Sequence, residues 1–232
     1  MAALDGRLLA AANFVTSGGS VVDVGTDHGY LPIYLVEQEI ACTVLATDVN
    51  PQPLASARRN IAAAGLDGRI GTQLADGLSG VDLSGVTDVV IAGMGGMLIA
   101  EILEKCVLPD GINLILQPMT QAPFLRRWLC ENGFSILAET PAEAAGKMYA
   151  VLNARRSFEK EECSDLFAHV GRIPDALQNS ETRPAAEKYL RTLRKKLEVI
   201  VLGMSQSNRD PETAVRYQRL VDGIRRIEEE GK

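Results

Sequence analysis

The sequence predicts a doubly wound α/β domain with a mostly parallel seven-stranded sheet, followed by a C-terminal helical hairpin. Three observations carry this. From about residue 20 to 154, short β-branched runs alternate with Ala-rich amphipathic stretches. Four of the runs are apolar without interruption, as strands buried on both faces of a parallel sheet must be. After Arg156 that alternation stops and a helical spacing of apolar residues takes over. The chain accordingly divides into residues 1–156 and residues 157–232.

The elements follow in order. The opening MAALDGRLLAAANFV has no basic leader, and Asp5 and Arg7 interrupt its apolar stretch, so it reads as an amphipathic helix rather than a signal peptide. Strands are expected at SVVDV (20–24), TVLATD (43–48), TDVVIA (87–92) and INLILQ (112–117), with a third strand in chain order ending at ADGL (75–78). FSILAE (134–139) and MYAVLNAR (148–155) extend the sheet. Helices are expected at 29–39, 50–64, 95–106 and 120–132, the second opened by Asn50 and Pro51 and closed by Gly65. Such alternation implies right-handed βαβ crossovers. Residues 157–183 are mixed, with Pro174 and Pro184 as punctuation. Leu190, Leu193, Leu197, Ile200 and Met204 then recur at steps of 3 and 4, and Tyr217, Leu220, Ile224 and Ile227 repeat the rhythm. Asp210 is expected to cap the second helix and Pro211 to open it, giving an antiparallel hairpin.

Composition bounds the function. The chain has 232 residues, of which 46% are hydrophobic and 5% aromatic, with 21 glycines, and suits a soluble α/β enzyme. No apolar run reaches the roughly 18 residues of a membrane span. Cys42, Cys106, Cys130 and Cys163 are scattered, and are expected as buried free thiols in a reducing cytoplasm. Two histidines and dispersed cysteines supply no metal-ligand set. The net charge of −6 lies entirely in residues 1–157, so the protein does not coat nucleic acid by charge alone. No obligate protein partner is evident.

Ligands of such sheets bind outside the carboxyl ends of the strands, near the switch in strand order. The first strand ends in DVGTDHGY (23–30), where Gly25 permits a tight turn and Gly29 a close helix approach. Neither the G-x-G-x-x-G fingerprint nor the phosphate-cradling G-x-x-x-x-G-K-[ST] loop is present. A loop bearing carboxylates suits a cationic ligand such as S-adenosylmethionine, with its sulfonium and ammonium, better than pyrophosphate. Asp48, ending the second strand, is placed for a ribose diol. Asp76, before Gly77, is placed for an adenine amine or else forms an Asp-Gly turn. The fourth strand ends in AGMGGM, where Gly93, Gly95 and Gly96 bare the backbone for a flat substrate and Met94 either contacts it or packs. The fifth ends in Gln117, Pro118 and Met119.

These motifs, in this order, resemble the class I methyltransferases, and DVGTDHGYLPIYL, IAGMGGMLIAEIL, LILQPM, LRRWLCENGF and GKMYAVL resemble those of the bacterial tRNA (adenine-N1)-methyltransferase family, TrmK. The likeness covers residues 1 to about 155 closely, and the hairpin in kind. It implies a Rossmann-like methyltransferase fold, S-adenosylmethionine as cofactor, and methylation of the adenine at position twenty-two in the D-arm region of tRNA. Asp23, Gly25, Asp27, His28, Asp48, Asp76, Gly77 and Gly93 would then form the cofactor site. Met94, Gly95, Gly96, Gln117 and Pro118 would face the target base. Asp27 stands where most methyltransferases have a second glycine and is the leading catalytic candidate. Tyr30 and His28 are expected to stack on or bond to the base, although His28 and Asp27 also read as helix caps and Tyr30 as core. The chain departs from the family at Met119, where an asparagine is expected, and at Ala144, Ala145 and Ala150, where acids are expected around Lys147 and Tyr149. The expected tRNA strip is Arg183, Lys188, Arg191, Arg194, Lys195 and Lys196, with Arg126 and Arg127 assisting. Two rivals stay open: a methyltransferase for small molecules or another substrate, and a cofactor-binding RNA module without turnover.

Overall fold

The computed structural model describes residues 4–207 and 211–231. The chain begins with α1 (Gly6–Ala12), β1 (Gly19–Val24), α2 (Tyr30–Glu37), β2 (Ala41–Asp48), α3 (Pro51–Ala63) and β3 (Ile70–Leu74). It continues with β4 (Asp88–Gly95), α4 (Gly96–Glu104), β5 (Asn113–Thr120), α5 (Ala122–Glu131), β6 (Phe134–Ala144) and β7 (Lys147–Arg156). The C-terminal part holds α6 (Asp165–Val170), a 3-10 turn (Ile173–Gln178), α7 (Arg183–Ser207) and α8 (Pro211–Glu230). The seven strands lie in the order β3-β2-β1-β4-β5-β7-β6. β1 to β5 are parallel, and β7 runs antiparallel to both β5 and β6. Chain order reverses between β1 and β4, the switch point at which this class of sheet opens a crevice.

The uninterrupted apolar runs feed two cores, one on each face. Val21, Val90, Ile115 and Val151 point toward α1, α2 and α3, where they meet Ala11, Leu35 and Ile61. Their neighbours Val22, Val89, Ile91, Leu114, Leu116 and Leu152 point the other way, onto Ile99, Leu103, Leu125 and Leu129 of α4 and α5. Successive strand residues face opposite layers, so a strand covered on both sides has no polar face to display. At the strands' amino ends, buried Asp88 accepts from Thr16, Thr87 and the Asn113 amide (2.7 Å), and Asn153 donates onward to Asn113 (2.7 Å). One buried polar network thus anchors the edge opposite the expected site.

The second core does not stop at Arg156. Leu190, Leu197, Leu220 and Ile224 of α7 and α8 belong to the same buried cluster as the sheet. α7 and α8 run antiparallel, since Arg194 pairs with Glu228 while Glu198, one turn later, pairs with Arg225. Asp210, expected as the cap of α8, lies outside the described residues.

The structure corrects two expectations. Arg126 was expected to reach tRNA, but it is fully buried. Its guanidinium forms a two-pronged pair with Glu139 of β6 (2.9 and 2.7 Å) and donates to the carbonyls of Ala168 and His169 (3.0 and 2.9 Å). The pair holds Arg126 charged despite burial. Gly171 crosses above it at φ 56°, and any Cβ there would collide with the Glu139 carboxylate and the guanidinium. The adjacent Arg127 is engaged by Asp165 (2.7 Å), which also binds Arg216. The second correction concerns the thiols. Cys130 and Cys163 are buried and pack together, whereas Cys42 is exposed and Cys106 partly so. Burial, with Cys163 adding to it, pushes the Cys130 thiol up to about 12, so it is unreactive at neutral pH.

Removing one partner of a buried pair strands the other charge. Glu139→Gln is therefore expected to lower stability by about 3–5 kcal/mol, read as an earlier midpoint in urea unfolding. An unchanged midpoint would show that this pair does not hold the C-terminal helices to the sheet.

Candidate active site

The five parallel strands deliver their carboxyl ends to one rim. At β1 the ladder to β2 runs past the strand end: the Gly25 and Thr26 N–H groups both donate to the Thr47 carbonyl (2.8 Å each). This draws the loop across β2 and requires φ +80° at Gly25, which glycine adopts without strain. Asp23, just before the turn, is 6% exposed. Burial pushes its carboxyl up to about 6, with the neighbouring charge of Asp48 adding to the shift and a Thr26 hydrogen bond opposing it. No cation is paired with it among the described residues. Asp48, also buried, accepts the Asn50 N–H (2.7 Å) at the start of α3. Asn50 is the N-cap and Pro51 opens the helix, as the sequence predicts, but the Asn50 side chain makes no capping bond.

Asp27 and His28 do not cap α2. The N-cap is Gly29, in the left-handed region at φ 73°, with no side-chain cap bond. Asp27 is instead exposed, its carboxylate 3.3 Å from His28 Nε2, and the His28 ring stacks on Tyr30 with centroids 5.2 Å apart. Tyr30 is 41% exposed, which excludes it from the core. The His28 carbonyl is fixed by the Asn60 amide (2.9 Å), tying the loop to α3. Asp76 stands exposed beyond β3, in a turn that Gly77 completes at φ +60°.

The three glycines after β4 serve different ends. Gly93, at φ +81°, has open space where a Cβ would stand, apart from Arg7 Nη1 at 4.0 Å. Gly95 is the N-cap of α4. Gly96 is buried, and its missing Cβ leaves room for the Gln121 carbonyl, so it closes the α4–β5 packing and offers no shelf. Met94 reaches back so that its methyl covers Gly25. Gln117 is fully buried: its Oε1 accepts from Gly93 N–H (3.1 Å) and Arg7 Nη1 (3.1 Å). Pro118 is buried opposite Met94, and Met119 is exposed at the rim. Ala145 and Gly146, both at positive φ, form the β6–β7 turn. Sequence reasoning missed Arg7, whose role depends on α1 folding over the end of β5.

The basic strip lies on α7. Arg194 pairs with Glu198 and Glu228, Lys188 with Glu143, and Arg183 donates to the Gly231 carbonyl. Arg191, Lys195 and Lys196 are exposed and have no carboxylate partner among the described residues.

Comparisons with known proteins agree with this geometry. Residues 4–152 match the methyltransferase domain family. The tRNA (adenine(22)-N(1))-methyltransferase of Bacillus subtilis is 37% identical over 153 residues, which is 65% of this chain. That alignment spans 64% of the Bacillus protein's length. The crystal structure of the B. subtilis m1A22 tRNA methyltransferase TrmK superposes with a TM-score of 0.78 at 29% identity, covering 99% of this chain and 98% of the other. A Streptococcus pneumoniae protein solved in complex with S-adenosyl-L-methionine gives 0.79 at 32% identity, covering 96% and 99%. With the sheet order, the carboxylate-bearing rim and these similarities together, the chain belongs to the methyltransferase domain family, and within it is similar to bacterial tRNA (adenine-N1)-methyltransferases.

Proposed function

We propose that this protein transfers the methyl group of S-adenosylmethionine to N1 of the adenine at position twenty-two in the D-arm region of tRNA, and that it works in the cytoplasm. The observation that carries the reading is Asp23, a buried carboxylate at the switch point with no cation paired to it among the described residues. Such a group awaits a positive ligand, and the methyl donor bears both an ammonium and a sulfonium. Asp48 and Asp76 complete the cofactor face, for the ribose diol and the adenine amine, with Gly25 and Gly77 keeping the loops low. When bound, S-adenosylmethionine supplies a methyl group on a positively charged sulfur.

Adenine N1 already holds a lone pair, so the residues need not include a strong base. Their work is alignment and exclusion of water. N1 lies on the pairing edge, so the base must leave its stack, at a few kcal/mol. The stacked His28 and Tyr30 rings offer it a surface, and Gly93 leaves open space at the end of β4. Alkylation makes the ring cationic, and Asp27, exposed beside His28, stabilises that charge as it develops. Residues 1–156 form the catalytic part, and residues 157–232 hold the tRNA backbone through Arg191, Lys195 and Lys196.

Labelled methyl donor incubated with bulk bacterial tRNA tests the reading: label is expected in N1-methyladenosine after nucleoside analysis. Label confined to small molecules would favour the first rival, and RNA binding without label the second. Asp27→Asn is expected to keep cofactor affinity while lowering turnover on the order of 100-fold; an unimpaired variant would remove Asp27 from the chemistry. Asp23 makes a pH prediction. Between about 3.8 and about 6 the folded protein holds a proton that the unfolded chain has released. The stability this contributes is present below that window and is lost as pH rises through about 6, amounting to roughly 3 kcal/mol. Asp23→Asn should therefore raise the unfolding midpoint at pH 7.5, flatten its dependence across that window and abolish cofactor binding. A midpoint lower than wild type would contradict the uncompensated burial.

A further inference from the structure

The rim's carboxylates suit the cationic and hydroxyl-bearing parts of the methyl donor, but its amino-acid end also carries a carboxylate. Asp23, Asp27, Asp48 and Asp76 repel an anion, so that group needs a donor of its own. α1 brings one to the rim. Asp5 caps α1 by accepting the Arg7 and Leu8 N–H groups (3.0 and 3.1 Å). The same carboxylate binds Arg7 Nε (3.0 Å) and Nη2 (2.5 Å), which fixes the plane of the guanidinium. The guanidinium lies over the Tyr149 ring, 5.5 Å from its centroid. Nη1 is thereby turned toward the ends of β4 and β5, donating to Gln117 Oε1 (3.1 Å) and Met119 Sδ (2.8 Å). It stands 4.0 Å from the open side of Gly93. A thioether is a weak acceptor, so the N–H given to Met119 is readily surrendered to a carboxylate. The Arg7 side chain retains 18% exposure, enough for a ligand to reach it.

We propose that Arg7 binds the carboxylate at the amino-acid end of the methyl donor, in exchange for its contact with Met119. This rests on the cofactor reading above. The position expected to carry asparagine holds a methionine here, so the guanidinium meets a soft sulfur that competes poorly for its proton. Asp5, Gln117 and Tyr149 are then positioning residues: they orient the cation without touching the ligand. Through Gln117, the same guanidinium is linked to the Gly93 N–H, so the α1 contact and the post-β4 backbone are set together.

Calorimetry with two probes tests this, using S-adenosylmethionine and its decarboxylated analogue, which retains the sulfonium and ammonium. The wild-type protein is expected to prefer the carboxylate-bearing probe by roughly 10- to 100-fold. Arg7→Met, which keeps an apolar stem over Tyr149, should lose that preference by weakening S-adenosylmethionine alone, and Arg7→Lys should restore part of it. Parallel weakening of both probes by Arg7→Met would overturn the inference in favour of a purely structural role. So would a variant that keeps the wild-type preference, or one whose only defect is a raised KM for tRNA. Wild-type protein that binds neither probe would instead sink the cofactor reading itself.

Discussion

A carboxylate held beneath the protein surface, with no cation paired to it among the described residues, organises the rim at the carboxyl ends of the strands. Asp23 is kept there by the sheet itself: β1 sits between β2 and β4, and its ladder to β2 continues through the Thr47 carbonyl into the loop. The fold thereby holds in place a charge that destabilises it, which is the usual relation between a binding site and its scaffold. Every neighbouring feature of the rim follows from that placement. Gly25 must turn at once, Asp48 is brought close enough to raise the Asp23 carboxyl further, and the exposed Asp27–His28–Tyr30 group is carried outward on the loop.

The second device is the Arg126–Glu139 pair, which joins α5, β6 and the end of α6 at one buried point. Apolar packing alone would let α7 and α8 slide over the sheet, because hydrophobic contact is not directional. A two-pronged ion pair that also binds two carbonyls has one good geometry. Gly171 reinforces this, since no other residue leaves room for both charged groups. The helical part is therefore an extension of the sheet's own core with a fixed orientation, which keeps Arg191, Lys195 and Lys196 at a constant attitude to the rim.

Much of the architecture was legible beforehand. Largely apolar runs at SVVDV, DVVIA and NLILQ declared strands covered on both faces, and the structure sends alternate residues into two cores. The loop carboxylates declared themselves as well, because an acid after a buried parallel strand has few structural uses. Arg126 misled for a physical reason: an arginine on an amphipathic helix is usually solvated, and its buried partner lies in another element. The three glycines after β4 look alike in sequence, yet one opens space, one caps a helix and one makes way for a backbone carbonyl.

By itself, then, the sequence determined the strands, their mostly parallel arrangement and the acids that follow them, since all of these follow from periodicity and from residues adjacent along the chain, whereas the order of the strands in the sheet came from the fold. Only the tertiary structure decided which charges stand exposed and which are paired within the protein. Arg7 reaches Gln117 across 110 positions, Lys188 reaches Glu143 across 45, and the Arg126 side chain disappears into a core formed by later helices. Such pairings depend on where distant elements dock, and no local spacing encodes that.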